Sequence, residues 1–356
     1  CALTLWAVDQ YGEIQCFPIE DFEPFFYAPF DSTVKDAAIA REEWGFSSVF
    51  GEDLKKVFLV NPSETPRLRE KYSHNWEADI PYSRRFLVTR SITSGFDEQL
   101  RPCSSSNPFK TFYLDIEVFS HESMPKPESD AIISWSLTDG SQGVVAILDD
   151  VDLMTMTEDG QWAYLHFSQE RTLIQCLEQI LIDQNAALLV GWNLPFDTEY
   201  IEKRCQTIGL RFSWYGADHF DLYQGYRNLY RRRSYRLKDI ALDEGLASES
   251  EERVDYGKLW ATDKPALMRR NQRHAVWCAQ IDSKLKVSQY YWELKETAGL
   301  ESCKDVFHTS VLIDTMLLRR AKGALPSRGE HKHEVYEGAY VMAPKPGVYK
   351  NATFYD

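Results

Sequence analysis

The chain has 356 residues, 44% of them hydrophobic and 26% charged, with a formal net charge of -14. That balance suits two or three globular domains with a buried core, and no apolar run is long enough to span a bilayer, so no membrane partner is expected. The acidity weighs against a surface that grips nucleic acid throughout, because such affinity comes from neutralising phosphates. It leaves room for a site where cations bridge carboxylates to phosphate. Nothing at the start has the order of a signal peptide, and the seven cysteines show neither CxxC pairs nor zinc spacing. Both features favour reduced thiols and a cytoplasmic or nucleoid protein (or a viral one in the host cytoplasm) that is not secreted. The first residue is Cys1 rather than Met, which reads as cropping or processing.

In chain order, "LTLWAVDQYGEIQCFPI" alternates around a Tyr-Gly turn and "FEPFFYAPF" is aromatic and extended, so the first hundred residues read as a mixed sheet region. "RPCSSSNP" is a polar, proline-bounded linker. Three strand candidates follow: "TFYLDIEVF", "AIISWSLTD" and "GVVAIL". Residues 168–183 place Leu173, Leu177, Ile180 and Leu181 on one helical face behind a Ser cap. "AALLVGWN" is a short buried strand, and "DTEYIEKRCQTIGL" a helix closed by Gly209. Strands followed by helix, strand and helix predict an α/β fold around one sheet. The acidic stretch 242–255 reads as a solvated loop, and one long helix is expected over roughly 265–295.

The strand "TFYLDIEVFS" carries Asp115 and Glu117, which alternation puts on one face with no Lys or Arg in the stretch to neutralise them. Asp197 follows a buried strand at the start of a helix, and Asp282 lies in the long helix. Each has an ordinary reading: an Asp after a strand is a helix cap or turn residue, and an Asp on a long helix is a solvated residue. Together they are four carboxylates that an α/β layout can converge at one sheet edge. Four acids cannot share a small site without cations, and hard divalent ions, Mg²⁺ or Mn²⁺, match oxygen ligands. Two such ions about 4 Å apart would clamp the oxygens of a phosphoryl displacement.

"LDIEVF" and "GWNLPFDTEYIEKR" resemble the first two exonuclease motifs of the family B (polymerase alpha-like) DNA polymerases. "VFGEDLKKVFLVNP", "PRLREKY", "EADIPYSRRFLV", "HFDLY", "SYRLKDIA" and "YEGAYVMAPKPGVYKNATFYD" resemble further family segments in family order. The resemblance implies a mixed α+β amino-terminal domain over 1–108 and an RNase H-like (DEDD) 3′→5′ exonuclease domain over 109–307. A return to the amino-terminal domain over 308–345 and the first strand of the palm over 346–356 would complete the chain. It also implies proofreading by two-metal hydrolysis, releasing a nucleotide monophosphate from a frayed primer 3′ end. Asp115 would bridge both metals, Glu117 and Asp282 would complete one site, and Asp197 would support the other. Asn193 and Phe196 would line the groove for the primer end. Phe119 would stack on a terminal base, with core packing as its alternative. Asp356 would match the first metal-binding acid of polymerisation, whose companions would lie downstream, so the chain alone is not expected to polymerise. Primer–template DNA, single-stranded 3′ ends, the rest of the polymerase and a sliding clamp would be the partners.

The third motif departs from the family's Tyr, three residues, Asp. Four before Asp282 stands Cys278, and Trp277 is five before it. On a regular helix those positions lie about 40° and about 140° from the Asp, so Trp277 would need a π-bulge to face the site. Neither side chain copies a phenol. Two other readings therefore stand beside the proofreading one: a free-standing DEDD exonuclease, and a catalytically silent scaffold. The basic runs "YRRRSYR" and "RRNQRH" read as solvated faces or phosphate contacts, and "EHKHE" as a hydrated loop or a metal-binding tract.

Overall fold

A computed structural model describes residues 3–97, 99–103, 109–120, 124–157, 159–248, 255–328, 347, 348 and 350. Asp356 and "EHKHE" lie outside them. The amino-terminal region is built from small antiparallel units. Leu3–Val8 and Ile14–Ile19 form a ribbon around the Tyr-Gly turn, with Gly12 at φ 82°. Asp53–Leu59 is the central strand between Phe25–Pro29 and Ile39–Ser47. Phe26, Val57, Leu59 and Leu68 close a small core beneath that sheet.

The main sheet is seven-stranded. Its members in chain order are β1 (Lys110–Val118), β2 (Ile132–Thr138), β3 (Gly143–Leu148), β4 (Leu153–Met156), β5 (Trp162–Phe167), β6 (Ala186–Gly191) and β7 (Asp218–Asp221). The spatial order is β4-β5-β3-β2-β1-β6-β7. β1, β2 and β3 run antiparallel to one another in turn, β5 lies parallel to β3 and antiparallel to β4, and β6 lies parallel to both β1 and β7. The three quoted strand candidates and the buried strand at 186–191 fall on sheet members. β4, fully exposed, and β5, largely half-buried, carry too little apolar patterning to announce themselves.

Helices cover both faces of the sheet. Phe112, Leu114 and Ile116 of β1 face one core with α1 (Glu170–Asp183) and α2 (Leu194–Thr207), which supply Leu173, Leu177, Leu181, Leu194 and Ile201. Gly209 ends α2 in a left-handed conformation, as its sequence indicates. The expected Ser cap of α1 is absent: Gln169 is the cap residue, and the Ser168 amide donates to Asp152 instead.

The odd-numbered residues of β1 face α3 (Lys264–Leu285) across the other side of the sheet. The single helix expected over roughly 265–295 is two. Lys286, at φ 55°, turns the chain, and α4 (Val287–Ala298) begins beyond it. A last helix, α5 (Thr309–Arg320), leads back to the amino-terminal region, where Ala324 pairs with Ser48 and Pro326 with Trp76.

Arg319 of α5 ties the two regions together. Its guanidinium donates to the carbonyls of Ala298 and Gly299 at 3.0 and 2.8 Å, and to those of Leu87 and Ile92 at 3.3 and 2.7 Å. A flexible apolar replacement leaves several carbonyls without donors, each costing about 1–3 kcal/mol where buried. Arg319→Met is expected to lower unfolding stability by roughly 2–4 kcal/mol in a urea titration, with the amino-terminal region losing amide protection together with the end of α4.

Candidate active site

β1 extends past the end of its neighbour: the pairing with β6 stops at Tyr113–Val190. Gly191 and the start of α2 crowd that step, where a Cβ on Gly191 would lie 3.0 Å from the Leu114 carbonyl oxygen. The overhanging part of β1 holds Asp115 and Glu117. Its Ile116 amide, left without a strand partner on that side, donates to Oδ1 of Asp197 at 3.2 Å. Asp197 is therefore not a cap. The cap position of α2 belongs to Asn193, in a left-handed conformation without a side-chain cap bond, and Asp197 in the first turn reaches across to β1. This is the crevice at the carboxyl ends of parallel strands where α/β proteins place their sites.

On the opposite side the site is closed by α3. Asn271, wholly buried, donates from Nδ2 to Oδ2 of Asp115 at 2.6 Å and to its carbonyl oxygen at 3.2 Å. The hydroxyl of Ser134 on β2 donates to Asn271 Oδ1 at 3.0 Å, and Ser136 donates to the Asn271 carbonyl at 2.8 Å. One turn along the helix, Nδ1 of His274 lies 3.2 Å from Asp115 Oδ2 and 3.5 Å from Glu117 Oε1. Ligating atoms of Asp115, Glu117 and His274 all fall within 4.8 Å of one another.

Asp282 does not join them. Its carboxylate accepts from the Tyr113 hydroxyl at 2.9 Å, from the Ser288 amide at 2.8 Å and from the Ser288 hydroxyl at 2.5 Å. It caps α4 across the break at Lys286 and pins that junction to β1, two residues before Asp115 in the strand. The expectation that Asp282 completes a metal site thus meets a carboxylate engaged by Tyr113 and Ser288, while Asp115 and Glu117 gather with His274. α3 is an unbroken α-helix, with no π-bulge to realign its face. Cys278 on α3 is fully buried, and burial followed by the charges of Asp115, Asp197 and Asp282 pushes its thiol well up. Trp277 faces away from β1 and stacks on the His274 ring at 6.0 Å.

Neither His274 nor Asn271 was foreseen as a site residue. Both lie in the basic run "RRNQRH", read as solvated or phosphate-contacting. The available signal was the spacing Asn271, His274, Cys278, Asp282, which aligns four polar or thiol side chains on one helical face.

Phe119 packs against Trp260, with ring centroids 5.7 Å apart, and against Gly257. Asn193 and Phe196 stand exposed at the start of α2. The Asn193 amide is tethered to Asp221 at 2.9 Å.

The electrostatics follow from burial. Desolvation pushes the Glu117 carboxyl up to about 7, with Asp115 adding to the rise and His274 opposing it. Desolvation and then the charge of Asp115 hold Asp197 well above the carboxylate range, against the bond from Ile116. A buried Glu117 oxygen, Oε1, has no hydrogen-bond donor. Converging acids and an orphaned buried oxygen fit a cation held by Asp115 and Glu117, with Asp197 alongside.

A mixed sheet whose first strand carries paired acids, joined by a third acid from the helix after a parallel neighbour, is an RNase H-like arrangement. Residues 97–220 match the family described as DNA polymerase family B, exonuclease domain. The DNA polymerases of Thermococcus kodakarensis and Thermococcus gorgonarius are each 24% identical over 97% of this chain, spanning 23% and 49% of those proteins. The family B DNA polymerase of Pyrobaculum calidifontis superposes with a TM-score of 0.70 at 20% identity, over 98% of this chain and 54% of that one. The chain thus spans about half or less of the length of the relatives it matches. Over residues 97–220 it is similar to the exonuclease domain of the family B DNA polymerases. No helix among the described residues is long and apolar enough to cross a membrane.

Two measurements test the site's energetics. Glu117 binds its proton more tightly folded than unfolded, so its contribution is most favourable below about 4.5 and is lost as pH rises toward about 7. Shifted by that much, one carboxyl costs about 3 kcal/mol above both values. Metal-free protein is expected to melt higher at pH 5.5 than at pH 8, and Glu117→Gln to reduce that difference, with Asp197 supplying the remainder; a flat profile contradicts the assignment. Asp282→Asn places an amide donor among three donors and should cost about 2–3 kcal/mol. It should leave divalent-ion binding unchanged, as calorimetric titration would show.

Proposed function

We propose that this chain is a divalent-metal-dependent 3′→5′ exonuclease acting on single-stranded DNA ends, and that it proofreads as part of a longer family B polymerase. The observation that carries the reading is the convergence of Asp115, Glu117 and Asp197 at the overhanging end of β1, within a segment matching the polymerase exonuclease family. Asp115 and Glu117, with Asp197 alongside, would hold the ions. Such ions supply Lewis-acid polarisation of the phosphate and a nucleophile at neutral pH.

The chain's own residues do the rest. Asn271 fixes the orientation of the Asp115 carboxylate. The Ile116 amide does the same for Asp197. The exposed Asn193 and Phe196 at the mouth of α2 receive the terminal nucleotide, the phenyl ring offering a stacking face indifferent to sequence. Phe119, held against Trp260, shapes the wall rather than stacking on a base. A primer–template duplex and the remainder of a polymerase chain are the partners this reading implies, while a sliding clamp follows from the resemblance alone. Asp356 would serve polymerisation only with further palm and fingers residues.

A second reading, a silent scaffold, is favoured by one observation: the carboxylate of α3, Asp282, is engaged by Tyr113 and Ser288 rather than by the other acids. Incubating a 5′-labelled single strand with the protein and Mg²⁺ or Mn²⁺ separates the two. The nuclease reading expects a ladder shortening from the 3′ end, blocked by a 3′-terminal phosphorothioate. Asp115→Asn should slow it by more than about 100-fold, since even an outer-shell partner of a metal is worth about 10–100-fold. No ladder with either ion, or equal ladders from both proteins, supports the scaffold or a contaminant.

A further inference from the structure

From the contacts of His274 we infer that its imidazole is a ligand of the ion held by Asp115 and Glu117, and that the site therefore prefers Mn²⁺ to Mg²⁺. The inference rests on the reading of these acids as a metal site and narrows it to a donor set and an ion class.

His274 Nδ1 points between two carboxylate oxygens, 3.2 Å from one and 3.5 Å from the other. Neighbouring ligands around an ion with bonds of about 2.1 Å are separated by about 3 Å, so the three atoms are spaced as one face of a coordination shell. One of them, Glu117 Oε1, is buried with no donor nearer than His274 Nδ1 itself, which leaves it open to a cation at that point.

The ring is held in place. It rides on the unbroken helix Lys264–Leu285 and stacks on the buried Trp277 at an interplanar angle of 30°. No further carboxylate competes for its position from α3, because Asp282 is committed to Tyr113 and Ser288. The donor set is two oxygens and one nitrogen where a purely oxygen-lined site would hold another acid. Mg²⁺ is hard and keeps oxygen ligands, whereas first-row ions such as Mn²⁺ accept imidazole beside carboxylates.

The opposing account makes His274 a fixed counter-ion, an imidazolium that neutralises the acids and resists metal. Mn²⁺ and Mg²⁺ titrations of the metal-free chain, followed by pulsed electron paramagnetic resonance of the Mn²⁺ form, decide between them. The expected result is Mn²⁺ binding at least about tenfold tighter than Mg²⁺, with ¹⁴N modulation from a coordinated imidazole. His274→Ala should abolish the modulation and weaken Mn²⁺ by about 10–100-fold while moving Mg²⁺ far less. His274→Asp should bring the two affinities together. Circular dichroism melts of both variants establish that they fold.

Mn²⁺ binding without nitrogen modulation, or unchanged in His274→Ala, overturns the inference and leaves the acids as a metal site. Tighter Mn²⁺ binding in His274→Ala overturns it in favour of the counter-ion. Failure of the wild-type chain to bind either ion, with Asp115→Asn indistinguishable from it, overturns the metal reading of the acids as well.

Discussion

The polar seam between α3 and the sheet is the constraint on which the rest depends. A helix normally meets a sheet through apolar side chains, yet here Ser134, Ser136, Asp115 and Tyr113 face Asn271, His274 and Asp282. Buried polar groups without partners destabilise strongly, so the seam tolerates little sliding. A shift of one residue in β1 would turn Asp115 and Glu117 into the core that holds Leu173 and Leu177. The same seam gives the acids their places: Asn271 spans Asp115 and Ser134, and Asp282 locks the end of α3 to Tyr113.

Within that frame the acids are unfavourable to one another by construction. Asp115, Glu117 and Asp197 arrive from a strand and from the helix after its parallel neighbour, and burial raises two of them. Like charges gathered in a poorly hydrated crevice are held there by the surrounding fold rather than by their own attraction. A cation reverses the sign of the balance, so stability and ligand binding draw on the same residues.

Much of this was legible from the sequence. Period-two alternation put Asp115 and Glu117 on one face, Gly209 marked the end of α2, and the apolar runs located β1, β2, β3 and β6. What escaped notice depended on contacts between distant segments. The break at Lys286 has no Gly or Pro to announce it; it is stabilised by Asp282 reaching Ser288 across the turn and by Tyr113 from the sheet. Read as part of one continuous helix, Asp282 could be assigned to the site, and only the break shows it engaged elsewhere. His274 was masked by its setting, since a histidine in a run of arginines reads as surface charge. Arg270 lies one turn before His274 and also acts on Glu117, and only the packing of α3 on β1 shows the imidazole against both Asp115 and Glu117.

The guanidinium of Arg319, grasping carbonyls from both sides of the junction, bears on how a strand could reach the crevice. Rotating the front region against the sheet means releasing four bonds at once, a far rarer event than the flexing of an ordinary two-domain hinge. On the proposed reading, it is the strand end that would travel, while the crevice stays where the junction holds it.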